Sequence, residues 1–181
     1  AELALRGEAA AILEELAAAA PEDRREAWGE AIATMKRRHP LPQPDGPFHP
    51  LAFLPELARQ AGPEAIVTTD VGQHQMWTAQ CYPVTRPRML LTSGGLGTMG
   101  FGLPAAIGAA LARPERTVIC VSGDGSLLMN IQELATLAEL GLEVKIVVCN
   151  NGHLGLVRQQ QELFYGQRYF ASRFAKNPDF A

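Results

Sequence analysis

Two short polar segments, Gly123–Ser126 and Asn150–Gly152, carry residue types that could bind a phosphorylated ligand together with a metal ion. In the first segment, glycines let the backbone turn tightly, and the free N–H groups of a following helix can face an anion. The carboxylate of Asp124 suits such a place if a divalent cation lies between it and the phosphate. Asn151 adds amide and carbonyl oxygens, which are hard ligands that suit Mg²⁺ or Ca²⁺ and not zinc.

Each segment taken alone has a simpler explanation. Asp124 and Ser126 could merely cap a helix, and Asn150–Gly152 could be a plain turn. The two segments are separated by the interval from Ser126 to Cys149, which covers one helix and one strand. The pair at this spacing is therefore much more specific than either segment by itself.

A third segment, Gly95–Gly100, matches the dinucleotide fingerprint GxGxxG, follows a predicted strand and opens a helix, which by itself favours NAD. Against NAD, the next strand ends in Asp124 between two glycines, which is the shape of a phosphate loop rather than of a ribose-binding carboxylate. NAD would also leave the Asn150–Asn151 pair unexplained. No Gly-Lys-Ser/Thr sequence is present, which excludes a P-loop.

The elements around these segments alternate between strands and helices. The predicted helices span residues 8–20, 22–38, 50–60, 99–112 and 126–140, and the predicted strands span residues 65–69, 89–92, 117–122 and 144–149, with a loop at Gly72. The buried strands and their βαβ order predict an α/β fold with a parallel sheet flanked by helices. Because ligands bind beyond the carboxyl ends of such strands, we expect residues 70–72, 123–125 and 150–152 to share one rim.

The composition narrows the classes of partner. With 181 residues and a net charge of -3, the chain has no electrostatic reason to bind nucleic acid or an anionic membrane. The longest uncharged stretch, residues 89–112, is interrupted by five glycines between Gly94 and Gly102 and by Pro104, so it is interpreted as a loop that enters a helix. The three cysteines are far apart and form no CxxC pair, which fits a reducing cytoplasm.

Gly123–Gly125 followed by Asn150–Asn151 resembles the diphosphate and Mg²⁺ motif of thiamin diphosphate enzymes. Three longer segments closely resemble the carboxyl-terminal domain of the acetohydroxyacid synthase (acetolactate synthase) catalytic subunit: VGQHQMW at 71–77, TSGGLGTMGFGLPAAIGAAL at 92–111 and IQELATLAELGLEVKIVVCNN at 131–151. The resemblance implies the thiamin diphosphate-binding fold over residues 48–181, incomplete at its carboxyl terminus. Residues 1–20 resemble the end of that family's central domain, and residues 21–47 form a helix and a Pro-rich linker.

The resemblance also implies residue roles. Asp124 and Asn151 would bind Mg²⁺ through their side chains and His153 through its main-chain carbonyl, although an acid–base role for the His153 side chain remains an alternative. The residues implied to contact the cofactor are Gly72, Gln73, His74, Gly97, Met99, Gly125, Ser126 and Asn151, with the Met99 side chain wedged beneath the cofactor so that it bends. Leu156, Val157 and Gln160 would contact the substrate. Many family members have Trp in place of Gln160, which leaves the substrate preference open.

The implied activity is a transferase reaction of branched-chain amino-acid biosynthesis, in which pyruvate is joined to a second 2-oxo acid to give acetolactate or acetohydroxybutyrate. Alternatives are another thiamin diphosphate-dependent 2-oxo-acid decarboxylase, a glyoxylate carboligase or an inactive paralogue. The family's cofactor-activating carboxylate belongs to an amino-terminal domain of the neighbouring subunit, so no catalytic residue is assigned here, and this chain alone is expected to be inactive. The resemblance further implies FAD bound mainly by the central domain, a homodimer or tetramer, a small regulatory subunit and a cytoplasmic location.

Overall fold

The computed structural model describes residues 4–20, 25–42, 46 and 48–180, and the chain divides into two compact units, residues 1–42 and 43–181. The first unit contains helices α1 (Ala9–Ala19) and α2 (Glu26–Arg38). The helix predicted over 8–20 is confirmed. The second helix begins at Glu26, and Arg25, which the prediction placed inside this helix, has a left-handed backbone conformation that a helix cannot continue. Residues 21–24 lie outside the described part of the chain.

The second unit is built on a four-stranded sheet in the order β2-β1-β3-β4, and all neighbouring strands are parallel. The strands are β1 (Ile66–Thr69), β2 (Leu90–Thr92), β3 (Val118–Gly123) and β4 (Val144–Cys149). Every residue of the two central strands is buried, as their unbroken apolar and β-branched sequences predict. The parallel α/β sheet is therefore confirmed.

The helices of this unit cover both faces of the sheet. They are α3 (Pro50–Ala61), α4 (Gln73–Cys81), α5 (Gly102–Ala112), α6 (Asp124–Leu127), α7 (Glu133–Leu140) and α8 (Gly155–Phe164). Val118 and Cys120 of β3 pack with α5 and α7 on one face. Ile119 and Val121 of the same strand pack with α3 on the other face, so successive side chains of β3 serve two separate cores.

A loop at Gly72 is predicted between the first two strands, but only its start is a loop, because Gln73–Cys81 is helix α4. This helix buries two polar residues, His74 and Thr78, and its sequence has no periodic apolar face. Thr78 Oγ1 donates a hydrogen bond to the His74 carbonyl at 2.7 Å, which satisfies the buried hydroxyl. The pattern that identifies an amphipathic helix is absent here, so the sequence carried no helical signal.

The single helix predicted over 126–140 is also wrong, because it is divided into α6 and α7. Between them the backbone N–H groups bond three residues back, as from Met129 to the Ser126 carbonyl at 3.2 Å and from Asn130 to the Leu127 carbonyl at 3.3 Å. The Asn130 side chain donates to the Gly100 carbonyl at 2.7 Å. Asn130 thus connects the segment between α6 and α7 to the loop that precedes α5. We call that loop, residues 94–101, the glycine-rich loop.

Residues 165–180 return from the end of α8 to the loop after β4. The Leu154 N–H donates to the Ser172 carbonyl at 2.8 Å, and the Phe174 N–H donates to the Gly152 carbonyl at 2.9 Å. An antiparallel bridge pairs His153 with Arg173 between these two bonds. We call residues 170–177 the returning segment, because they cover the loop that follows β4. None of the described helices is both long and apolar enough to cross a membrane.

Candidate functional site

The carboxyl ends of β1, β3 and β4 open into a cavity of about 180 Å³. The residues that line it come from all three strand ends, the glycine-rich loop and the start of α8: Val71, Gly72, Gln73, His74, Trp77, Gly97, Met99, Gly123, Asp124, Gly125, Ser126, Cys149, Asn151, His153, Leu154, Gly155, Leu156 and Val157. The predicted common rim is therefore confirmed. Of the residues to which the resemblance gives a role, the cavity brings together all except Gln160.

Asp124 is the buried carboxylate of this cavity, with 1% of its surface exposed. Its Oδ2 accepts hydrogen bonds from the Gly152 N–H at 2.9 Å and from the Asn177 side-chain amide at 2.6 Å. The first bond joins the loop after β3 directly to the loop after β4. A buried carboxylate beside amide and carbonyl oxygens is the donor set that a hard divalent cation prefers.

The loop after β4 is held by its own side chains. Asn151 Oδ1 accepts a hydrogen bond from the His153 N–H at 3.0 Å, and the Asn151 carbonyl contacts His153 Nδ1 at 2.7 Å. The other ring nitrogen of His153 contacts the Arg158 guanidinium, which also lies over the Tyr169 ring at 5.0 Å. Both nitrogens of the imidazole are thus engaged, which disfavours the alternative acid–base role for this side chain.

His74 lies deep in the cavity wall, and its Nε2 is buried without a hydrogen-bond partner among the described residues. Burial lowers the pKa of His74 from 6.5 to about 4, although the negative charges of Asp70 and Asp124 act in the opposite direction. Side chains at Gly72 and Gly123 would collide with this imidazole, because a Cβ atom would lie 2.8 Å and 2.9 Å from its Cε1. The two glycines therefore create the space in which His74 reaches the strand ends.

The glycine-rich loop is positioned by Asp70, a residue to which sequence analysis gave a place on the rim but no role. Asp70 Oδ1 accepts from the Gly100 N–H at 2.8 Å, and Oδ2 accepts from the Gly102 N–H at 2.9 Å. A Cβ atom at Gly102 would lie 2.8 Å from the Asp70 backbone nitrogen, so α5 starts in direct contact with the end of β1. Gly97 has φ +63 and Gly100 has φ +88, conformations that strongly favour glycine. The Asp70 carboxylate therefore attaches the loop that carries Met99 to the end of β1.

The short helix α6 presents its backbone to the cavity while its serine faces inward. Ser126 Oγ accepts from the Gly123 N–H at 3.1 Å and lies 3.3 Å from Ser122 Oγ. A Cβ atom at Gly125 would lie 2.6 Å from Leu154 and 2.9 Å from the Phe174 ring. Contacts from Gly125 and Ser126 to a ligand would thus come from main-chain N–H groups, which the first turn of a helix leaves without partners inside the helix.

Helix α8 contributes one face to the cavity through Leu156 and Val157. Gln73 Nε2 donates to Gln159 Oε1 at 3.1 Å and so links the first turn of α4 to α8. Gln160 is exposed and is not among the described residues that line the cavity. Gln160 lies about one helical turn after Leu156 and Val157, on the same side of α8, so its place at the entrance stays a prediction.

Asn177 is the residue that sequence reasoning missed. Its side-chain amide donates to Asp124 Oδ2 at 2.6 Å and to Asn150 Oδ1 at 2.9 Å, and its Oδ1 is buried without a partner among the described residues. The only signal in the sequence is Asn177-Pro178, a common turn pair. Nothing in that pair predicts contact with a residue 53 positions earlier.

These features fit a ligand that carries a diphosphate bound to a metal ion. A protonated His74 could donate from its partnerless Nε2 to an anion, the glycines of the strand ends leave room for close approach, and Asp124 with Asn151 supplies oxygen ligands. No cluster of three or more His, Cys, Asp or Glu side chains that could hold a metal ion occurs in the described ranges. Any cation here would depend on Asp124 together with amide and carbonyl oxygens.

Comparison with known proteins gives the same answer as the geometry. Residues 70–181 match the family described as thiamine pyrophosphate enzyme, C-terminal TPP binding domain; thiamine pyrophosphate is another name for thiamin diphosphate. The chain is 58% identical over 149 residues to acetolactate synthase isozyme 1 large subunit of Escherichia coli (strain K12), which covers 81% of this chain and 26% of that protein. It is 54% identical over 162 residues to acetolactate synthase large subunit of Parasynechococcus marenigrum (strain WH8102), covering 88% of this chain and 26% of that protein.

A further relative, acetolactate synthase isozyme 2 large subunit of Escherichia coli (strain K12), is 48% identical over 155 residues, covering 84% of this chain and 28% of that protein. The chain thus spans about a quarter of the length of the curated relatives that it matches. The family match covers more than half of the chain and includes every residue that lines the cavity. The chain therefore belongs to the thiamine pyrophosphate enzymes, and residues 70–181 are their C-terminal TPP binding domain.

Proposed function

We propose that the full protein is an acetolactate synthase, which joins pyruvate to a second 2-oxo acid to give acetolactate or acetohydroxybutyrate for branched-chain amino-acid biosynthesis. The observation that carries the proposal is that relatives bearing this name are 46–58% identical over most of this chain. The cavity supports it, because the residues expected from that resemblance meet at the strand ends.

The proposed metal ion is Mg²⁺, held by the side chains of Asp124 and Asn151 and by the His153 carbonyl. The diphosphate would be held by Gly72, Gln73 and His74 and by main-chain N–H groups of Gly125 and Ser126. The support is the position of these residues around one cavity and the partnerless Nε2 of His74. Each group has the polarity that its proposed partner requires: oxygens toward the cation and N–H donors toward the anion.

The rest of the cavity would orient the organic part of the cofactor. Backbone groups of Gly97 and Met99 would contact the aminopyrimidine, and the Met99 thioether would fill the gap beneath a bent cofactor, a task that suits an unbranched and adaptable side chain. When bound, thiamin diphosphate supplies the electron sink that allows the bond to the carboxyl carbon of a 2-oxo acid to break. Leu156 and Val157 would exclude water from the substrate end of the cavity.

Several parts of the activity are proposed to lie outside this chain. The carboxylate that activates the cofactor is expected from another domain, so this chain alone would be inactive. FAD would be bound mainly by a central domain, and the active form would be a homodimer or tetramer. The relatives are named large subunits, which supports a small regulatory subunit as a partner. We place the protein in the cytoplasm.

The deciding experiment is a titration of the full protein with thiamin diphosphate and MgCl₂ by calorimetry, followed by identification of the products formed from pyruvate and, separately, from glyoxylate. Mg²⁺-dependent binding and formation of acetolactate are expected. Release of acetaldehyde would indicate a simple decarboxylase, and condensation of glyoxylate would indicate a glyoxylate carboligase. Binding without turnover of any of these acids would indicate an inactive paralogue.

The metal assignment has its own control. Asp124→Asn removes the only full negative charge proposed to face the cation, so cofactor affinity should fall at least about tenfold, which is about 1.4 kcal/mol. Unchanged affinity in this variant would overturn the proposed Mg²⁺ ligands and leave the family assignment intact.

A further inference from the structure

We infer that Asn177 belongs to the metal site: its amide nitrogen holds Asp124 when no cation is bound, and its amide oxygen accepts a hydrogen bond from a cation-bound water when one is. Asn177 is thus a positioning residue for the cation. The inference rests on the proposed function, because it takes Asp124 to be a Mg²⁺ ligand. It adds a residue from the returning segment to a site otherwise built from the strand ends.

The first step of the argument is the geometry around Asp124. The Asn177 amide nitrogen bridges Asp124 Oδ2 and Asn150 Oδ1, at 2.6 Å and 2.9 Å. It therefore joins the loop after β3 to the loop after β4 at the place where a cation would be bound. A donor shared by a buried carboxylate compensates part of the cost of burying that charge.

The second step is the unpaired atom. Asn177 Oδ1 is buried and has no hydrogen-bond partner among the described residues, whereas the nitrogen of the same amide has two acceptors. Leaving a buried acceptor unpaired costs free energy, on the order of 1–3 kcal/mol. An acceptor with an unmet requirement, next to a carboxylate that prefers a cation, suits a site that is completed when the cation arrives.

The third step is the chemistry of Mg²⁺. This ion gives up its waters reluctantly, so it keeps several of them even when protein carboxylates bind it, and each bound water needs an acceptor. A cation at Asp124 would compete with the Asn177 amide nitrogen for Oδ2. A water bound to the cation could donate to Asn177 Oδ1 and so pair the acceptor that has no partner among the described residues.

The returning segment is anchored well enough to hold Asn177 in place. Gln161 of α8 accepts from Ser172 Oγ at 2.9 Å and donates to the Phe170 carbonyl at 2.8 Å. The Phe174 N–H bonds the Gly152 carbonyl at 2.9 Å. Because these anchors do not involve Asp124, the returning segment stays in place when the amide of Asn177 changes its hydrogen-bond partners.

The test uses the full protein and three variants. The leucine side chain of Asn177→Leu has a similar size and no polar group. At a saturating concentration of thiamin diphosphate, the MgCl₂ concentration that gives half-maximal cofactor binding should rise about tenfold or more in this variant, as for other residues that orient metal ligands. Asn177→Asp places a second carboxylate beside Asp124. The metal-free protein should melt at a lower temperature than wild type, and the gain in melting temperature on addition of MgCl₂ should be larger than in wild type.

Ser172→Ala is the matched control, because it removes an anchor of the same segment at a site away from Asp124. Its MgCl₂ requirement should stay within about twofold of wild type, well below the tenfold change expected at a metal-linked position. An equal rise in Ser172→Ala would show that Asn177 only anchors the segment and would overturn the inference, as would equal losses in Asn177→Leu and Asn177→Asp. Wild-type protein that binds no Mg²⁺ would overturn the proposed metal site as well, whereas normal wild-type binding with unchanged Asn177 variants would overturn this inference alone.

Discussion

At the scale of single residues, two buried side-chain atoms have no hydrogen-bond partner among the described residues: His74 Nε2 in the cavity wall and Asn177 Oδ1 beside Asp124. They lie on opposite sides of Asp124 in the sequence and come from different elements, α4 and the returning segment. Because the other buried side-chain polar atoms of the described residues are paired, these two mark where a ligand completes the structure. The cost of burying the His74 imidazole lowers its pKa, so this cost can be measured as a dependence of stability on pH.

We expect His74 to make stability depend on pH. Its pKa is lowered to about 4 by burial, so between pH 6.5 and 4 the unfolded chain takes up a proton that the folded chain does not. The free energy of unfolding therefore keeps its full value above pH 6.5 and decreases by up to about 3 kcal/mol as the pH falls toward 4. In His74→Gln this contribution is absent. The gap in melting temperature between wild type and His74→Gln should therefore change in favour of the variant as the pH is lowered over this range.

Thr78→Val is the control for this measurement, because it removes a buried hydrogen bond of the same helix, from Thr78 Oγ1 to the His74 carbonyl, and removes no titratable group. This variant should keep the pH dependence of wild type over the same range. A gap between wild type and His74→Gln that stays constant from pH 7 to pH 4 would show that the folded protein protonates His74 as readily as the unfolded chain does.

At the scale of elements, the site depends on how α5 and α8 begin. Asp70 binds the N–H groups of Gly100 and Gly102 and so attaches the glycine-rich loop to the end of β1. Helix α8 is attached through Gln73 and Gln159 to the start of α4. Both attachments join segments far apart in sequence, which means that the cavity wall is set by tertiary contacts and not by local turns.

Asp70→Asn should loosen the glycine-rich loop. The substitution keeps the size of the side chain but replaces one acceptor oxygen by a donor that faces an N–H group, at a cost on the order of 1–3 kcal/mol. Hydrogen exchange at Gly100 and Gly102 should become faster, and thiamin diphosphate affinity should fall. Glu64→Gln is the control, since it makes the same chemical change just before β1, where Glu64 pairs with Arg116 at 3.0 Å. Equal exchange rates in Asp70→Asn and wild type would show that the loop holds its shape without the carboxylate.

We expect substrate choice to follow the α8 residues that line the cavity. Leu156→Ala should enlarge the substrate end and raise the share of acetohydroxybutyrate over acetolactate when pyruvate and 2-oxobutyrate compete, since one methylene in an apolar pocket is worth about 1–3 kcal/mol. The sequence alone predicts weak discrimination between the acceptors and a gain for 2-oxobutyrate in Gln160→Trp. The exposed position of Gln160 predicts a smaller change there than in Leu156→Ala. A larger change in Gln160→Trp than in Leu156→Ala would show that Gln160 controls the choice between the two acceptors.

At the scale of the whole molecule, the surface beside the cavity leaves large apolar side chains exposed to water. Leu96, at the tip of the glycine-rich loop, is 96% exposed, and Met76 of α4 is 42% exposed. The two segments that carry them, residues 72–77 and 94–102, also contribute residues to the cavity wall. A large apolar side chain left in water beside a binding site is typical of a contact surface.

The full protein is therefore expected to be a dimer or larger, with these two segments at the interface. Leu96→Asp should raise the dissociation constant of the assembly at least about tenfold, because it places a charge in a desolvated contact. Leu111→Asp is the matched control, since Leu111 is also exposed but lies at the far end of α5. Light scattering at decreasing concentration measures both. A wild-type monomer that still turns over substrate at nanomolar concentration would refute the interface.

Sequence reasoning succeeded where chain order alone decides position. Asp124 and Asn151 follow neighbouring parallel strands, so the topology brings them together whatever the side chains do. It failed where side-chain contacts decide: α4 buries His74 and Thr78 in place of an apolar stripe, and the break after α6 depends on Asn130 reaching Gly100. Asn177 was missed for the same reason, since its contact with Asp124 has no local signature.

The returning segment also sets the order in which the site is completed as the chain is synthesised. The strands, the glycine-rich loop and Asp124 all leave the ribosome before Ser172, Phe174 and Asn177, so the sheet can form while Asp124 Oδ2 still lacks its shorter hydrogen bond. Phe174 is likewise still absent from its contact with Gly125. A nascent chain stopped after α8 would thus contain all four strands while the proposed metal site is still open, and the site closes only when Asn177 emerges.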